Sequence, residues 1–195
     1  MHQSGQSLKV LVAPLDWGLG HATRCIPVIH QLLEHGCEVM LAAEGKTAIL
    51  LQQEFPLIQL LHLPGYGIEY ASSEWGLAAK IVAQIPKLLA AIKQEHTWLK
   101  KVVEEEKIDA VISDNRYGLY HAGIHTVFLT HQLRIKAPVS IAEDFLQETV
   151  YNYIENFSEC WVPDAAGENN LAGDLSHPSE LPTVPLHYVG TLSRF

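Results

Sequence analysis

Positive charge is scarce in this sequence. Its 195 residues hold 13 Lys and Arg against 22 Asp and Glu, a formal net charge of −9 with His neutral. Non-specific nucleic-acid binding draws on clustered Lys and Arg, so this balance excludes that class of partner. Cysteine is scarce too: Cys25, Cys37 and Cys160 show no CxxC spacing. An odd count without a framework points to a reducing compartment, here the cytoplasm. No apolar run reaches the roughly 18 residues of a membrane span. The N-terminal MHQSGQS lacks the apolar core of a signal peptide. Peripheral contact with a membrane surface stays compatible with all of this. The histidines, His62, His121 and His125 among them, show no metal-ligand pattern, so neither a metal nor a cofactor is expected.

What is present is the composition of a globular domain, 48% hydrophobic and 18% charged. Disorder is not suggested, and one domain is the natural expectation for this length. Short apolar runs alternate with helical patterns. Leu8 to Ala13 reads as a strand buried on both faces. After a loop over Pro14 to Gly20, a helix runs to about His35 and stops at Gly36. Thr23 is a candidate cap, and Pro27 suits only a first turn, which puts the regular part of this helix late. Further strands are expected over Cys37 to Ala43, Leu57 to Leu63, Ile108 to Ser113, Ile124 to Thr130, Cys160 to Val162 and His187 to Gly190. Helices are expected over Lys46 to Phe55, Gly76 to Lys107 and Ser140 to Phe157, with Pro86 kinking or interrupting the longest. Pro64 to Gly76 reads as a surface loop and Pro163 to Pro185 as irregular chain. Lys80, Lys87 and Lys101 share one helical face, which could touch anionic lipid. Glu104 to Glu106 follow directly, which favours a solvated face instead.

This alternation implies an α/β fold with a parallel sheet and helices on both faces. Ligands of such sheets bind beyond the carboxyl ends of the strands. Three polar turns fall there: Asp16 to His21, Asp114 to Gly118, and His131-Gln132. In the first, Gly18 and Gly20 let backbone amides approach a ligand, and a following helix N-terminus favours anions. The dinucleotide fingerprint needs a third glycine, and position 23 is Thr, so nicotinamide-dinucleotide binding is rejected. The plainer reading is a tight turn with a bystander histidine. At a helix start, His21 feels the positive end of the dipole, which disfavours imidazolium by roughly 0.3–1 kcal/mol. That leaves a neutral ring able to accept a proton. A carboxylate beside it would orient the ring; Asp114 is the first candidate and Asp16 the second. Asp114 as a mere capping residue of its turn is the competing reading. Asn115, Arg116 and His131 are candidates to hold a polar acceptor or a phosphate, each also explicable as a structural hydrogen-bonding group.

The segment VLVAPLDWGLGHATRCIPVI resembles the amino-terminal domain of GT-B glycosyltransferases, closest to the branch around the N-acetylglucosaminyltransferase of peptidoglycan synthesis. ISDNRYG at 112–118 and HYVGTLSR at 187–194 also look like that group, the latter like the segment leading into the interdomain hinge. The peptidoglycan enzyme has an additional glycine before its histidine that this chain lacks.

The resemblance implies a single Rossmann-like domain over 1–195, one half of a GT-B fold, ending at the hinge. It implies that a carboxyl-terminal domain holding most of the nucleotide-sugar donor is missing. A sugar-containing or lipid-linked acceptor would bind this half. Gly18, Gly20 and His21 match the loop at the cleft, with His21 as general base of an inverting transfer and Asp114 where some plant-type members place its carboxylate partner. The alternatives are a nucleotide-sugar hydrolase, since GLGHATR resembles the G-x-G-H-x-x-R of the hydrolase in pseudaminic acid synthesis, and a non-catalytic module binding a carbohydrate or phosphorylated ligand. The chain alone is expected to show no transferase activity.

Overall fold

The computed structural model describes residues 7–67, 74–135, 140–167 and 169–193, with backbone alone for 74–83 and 140–142. The polar N-terminus, part of the loop expected over 64–76, the Lys80 side chain and the last residue of the 187–194 segment lie outside the described residues.

Among the described residues the elements run β1 (Lys9–Pro14), α1 (Leu19–Glu34), β2 (Glu38–Ala43), α2 (Gly45–Glu54), β3 (Leu60–His62), α3 (Glu74–Glu106), β4 (Ala110–Asp114), β5 (His125–Leu129), α4 (Ser140–Ile154), β6 (Glu159–Val162) and β7 (Leu186–Tyr188). The strands form one parallel sheet in the order β3-β2-β1-β4-β5-β6-β7. The expected α/β class holds. A central strand touches helices on both faces, so after Lys9 the strand β1 is apolar and buried throughout. Val10 and Val12 face the layer of α1 and α2, where Cys25, Ile26, Ile29 and Leu51 are buried. Leu11 and Ala13 face Leu99 and Val102 of α3.

Several boundaries differ from the sequence reading. β3 begins at Leu60, because Leu57 stands 98% exposed and belongs to the turn before it. α3 starts at Glu74, so Trp75 is helical rather than looped, and the helix continues through Pro86. α4 ends at Ile154, beyond which the N–H groups of Asn156 and Phe157 donate to Tyr153 O and Ile154 O in tighter i→i−3 turns. The stretch 163–185 is irregular apart from a 3-10 turn, Gly173–Leu175. Asp164 organises it, accepting from the backbone of Ala165, Leu171 and Ala172 and from Ser176 Oγ. Those bonds hold its carboxyl well below the usual range. Lys87 Nζ donates to Gly67 O, and Lys101 pairs with Glu105.

The largest difference is the start of α1. It begins at Leu19, with Gly18 as N-cap in the left-handed region at φ 89°. A side chain there would be strained, whereas glycine is not. Thr23 is therefore no cap; its hydroxyl donates back to Gly20 O at 3.0 Å. Pro27 sits inside the helix rather than in its first turn.

The chain reverses direction of travel across the sheet between β1 and β4, which makes their carboxyl ends the switch point where such sheets form a crevice. Gly118, just past β4, abuts α3: an added Cβ would come within 2.3 Å of Ile92 O. Gly118→Ala should therefore cost about 1–3 kcal/mol through forced backbone shifts. A denaturant midpoint equal to wild type would contradict that close approach.

Candidate active site

The site grows from two adjacent strand ends. Pro14 of β1 and Asp114 of β4 are level in register, and Leu15 N donates to Asp114 O at 3.0 Å. From β1 the chain passes through Asp16 to Gly18 and turns straight into α1. This places His21 in the first helical turn, directly over the end of β4. His21 Nδ1 lies 3.1 Å from Asp114 Oδ2. The His21 side chain is 15% exposed and that of Asp114 fully buried.

A buried carboxylate is costly unless charge and hydrogen bonds surround it. Arg24 supplies both. Its Nε donates to Asp114 Oδ2 at 2.8 Å and its Nη2 to Asp114 Oδ1, a bidentate fork. Cys25 Sγ donates to Oδ2 from 3.7 Å, and burial together with the Asp114 charge pushes that thiol well above its ordinary pKa. Nη1 of Arg24 reaches His131, 2.6 Å from its Nδ1, where the chain leaves β5. Four side chains from three strand ends thus meet: His21, Arg24, Asp114 and His131. Arg24 received no role from the sequence, although it closes the GLGHATR segment. It lies three residues after His21, so helical spacing alone puts both on one face.

The other predicted residues divide. Gly18 caps α1, and Gly20 is exposed in its first turn. Asn115 is half-buried and left-handed at φ 55°, a conformation Asn tolerates, and its N–H donates to Leu129 O at 3.1 Å. Asp16 is not the partner of His21. It lines a separate cavity of about 300 Å³ with Gly18, Glu44 and Lys46, and packs so close to Gly65 that a Cβ there would fall 1.8 Å from Oδ2.

Arg116 needs correction as a ligand contact. It is fully buried on the opposite side, where Nε donates to Glu95 Oε1 at 2.7 Å, Nη1 to Pro14 O at 3.4 Å and Nη2 to Pro64 O. Each of its three nitrogens donates to protein, and the side chain is 0% exposed. Glu95 also accepts from Tyr66 OH at 2.8 Å and Gly118 N at 3.1 Å. This network ties α3 and the 64–67 segment to the rim. Among the described residues no group of three or more metal-ligating side chains converges, and no helix is long and apolar enough to cross a membrane.

Burial first, then the charge of Arg24, holds His131 below its ordinary pKa. The folded state therefore prefers the neutral ring. Its contribution to stability is complete above the unfolded value of about 6.5 and is lost as pH falls toward the folded one. His131→Gln should remove that component. The melting temperature of wild type should fall more steeply than that of the variant between neutral and mildly acid pH. Parallel curves would refute it.

No family model matches the chain, and no curated protein matches it. Solved structures do. It aligns with Arabidopsis thaliana UGT89C1 at TM-score 0.62 and 14% identity, covering 96% of this chain and 50% of that one. The glycotransferase of kitacinnamycin aligns at 0.59 and 13% identity, covering 96% and 52%. A putative UDP-N-acetylglucosamine 2-epimerase from Listeria monocytogenes aligns at 0.53 and 11% identity, covering 91% and 43%. The chain spans about half the length of the structures it matches. Its fold is the Rossmann-like α/β fold found in GT-B glycosyltransferases.

Proposed function

We propose that this chain is the acceptor-binding half of an inverting, nucleotide-sugar-dependent glycosyltransferase, with His21 as general base. The observation that carries this is the His21–Asp114 approach of 3.1 Å at the switch point between β1 and β4. Nδ1 faces Asp114 and Arg24, so Nε2 is the nitrogen left for a ligand. In the transfer, Nε2 takes the proton of an acceptor hydroxyl as that oxygen attacks the sugar. Nδ1–H donates to Asp114, whose negative charge stabilises the imidazolium. The acceptor, sugar-containing or lipid-linked, approaches over the exposed turn at Gly18 and Gly20. The donor nucleotide belongs to a further domain in the complete enzyme, met across the cleft beyond a hinge near residue 190, and the reaction belongs in the cytoplasm, with peripheral membrane contact where the acceptor is a lipid.

Hydrolysis of a nucleotide-sugar is the second reading. It is favoured by one observation, the arginine of G-x-G-H-x-x-R seated on the carboxylate beside the histidine. There His21 would activate water instead of a hydroxyl.

In the enzyme that contains this chain, His21→Ala should lower kcat/KM by about 10²–10⁴ with the fold intact. Near-normal turnover would sink the base assignment. Product formed without any acceptor would select hydrolysis. Residues 1–195 alone should transfer no sugar, and robust transfer by them would overturn the two-domain reading.

A further inference from the structure

Arg24 faces three groups at once. Beyond its fork on Asp114, Nη2 lies 2.5 Å from His21 Nδ1 and Nη1 lies 2.6 Å from His131 Nδ1. A guanidinium carries five N–H donors and no acceptor. A ring nitrogen this close must offer its lone pair, because a protonated one would set two N–H groups against each other. Where Arg24 donates to it, an Nδ1 is unprotonated, and a neutral ring then carries its proton on Nε2. Asp114 Oδ2, 3.1 Å from His21 Nδ1, is an acceptor as well. In this arrangement that approach is no hydrogen bond. It becomes one only when the proton sits on Nδ1. The His21 ring thus stands between a donor and an acceptor that demand opposite tautomers.

We propose that Arg24 is a positioning residue that selects the tautomer of His21. With Nη2 seated on Nδ1, the ring rests as the Nε2–H form, a hydrogen-bond donor toward the cleft. It becomes a base only when Nη2 withdraws, so that Nδ1–H donates to Asp114 and the lone pair moves to Nε2. No net proton is consumed: Nε2 releases one to solvent and Nδ1 takes one up. Asp114 Oδ2 keeps the Nε–H of Arg24 and the thiol of Cys25 throughout and gains Nδ1–H, while Oδ1 gives up the Nη2 half of the fork. The charged and titratable groups facing the ring are Arg24 and Cys25 of α1, Asp114 of β4 and, across Arg24, His131 after β5. The catalytic meaning of the switch rests on the base role proposed for His21; the tautomer itself does not.

The test is ring-nitrogen NMR on the chain labelled with ¹⁵N-histidine, at a pH where the rings are neutral. His21→Gln and His131→Gln assign the signals. Wild type should show His21 and His131 both with unprotonated Nδ1 and protonated Nε2. In Arg24→Met, the Nδ1–H form of His21 should rise from the minor to the dominant species as its proton turns to Asp114. A wild-type His21 carrying its proton on Nδ1 overturns the proposal whatever the fate of the variant. So does a folded Arg24→Met in which Nε2–H persists. Should the switch appear while His21→Ala leaves turnover intact in the complete enzyme, the base reading falls and the tautomer assignment stands.

Discussion

A buried carboxylate governs the rim of this domain. Asp114 is fully enclosed, and removing one partner of such a pair leaves an uncompensated charge that typically costs about 3–5 kcal/mol. The Arg24 fork meets that need from a helix, not from the strand that carries Asp114. α1 is therefore fixed against β4 in both rotation and height. His21 inherits its position from this constraint, one helical turn before the arginine. The same contact explains why α1 begins immediately after Gly18. A later start would leave His21 and Arg24 on irregular chain, without a shared face toward Asp114.

A second buried pair mirrors the first. Asp114 and Arg116 flank Asn115, whose left-handed backbone separates them. Asp114 turns to α1 and meets a cation; Arg116 turns to α3 and meets an anion, Glu95. The exit of β4 is thus pinned to both helical layers by pairs of opposite sense. Tyr66 bridges the second pair, donating to Glu95 while accepting from Tyr117 N at 2.8 Å. Burial outweighs Arg116 in raising the Glu95 carboxyl above its ordinary pKa. Such pairs are weak sources of stability in themselves. Their effect here is geometric, setting the end of β4 relative to the ends of β1 and β3.

The sheet was readable from sequence because its central strands are short apolar runs bounded by polar turns, and such runs follow from burial on both faces. The convergence of the turns at Asp16, Asp114 and His131 followed from parallel topology alone. Boundaries were less readable where one residue sends a misleading signal. Pro27 argued for a late helix start, yet the backbone tolerates it inside α1. The arginines were the instructive case. Arg116, in a polar turn, looked available to a ligand, while Arg24, on a helix, was given no role. A long side chain reveals its partner only in three dimensions. Arg24 and Asp114 are 90 residues apart, and no local pattern encodes their meeting.

The fold does not choose the chemistry. This one Rossmann-like domain aligns with structures named UGT89C1, a glycotransferase and a putative 2-epimerase, at identities too low to carry more than architecture. Transfer and hydrolysis both need a neutral imidazole with its lone pair aimed at an oxygen nucleophile. Among the described residues, the groups beside that ring are the Asp114 carboxylate, the Arg24 guanidinium that competes for Nδ1, and His131, which shares the same guanidinium. On the proposed reading a donor-binding domain would add the leaving group and the sugar, while the proton would be handled by the His21–Asp114–Arg24 cluster of this chain. If His21 is the base, transfer and hydrolysis differ in which oxygen reaches Nε2, a question of what lies above Gly18 and Gly20 rather than of the sheet beneath.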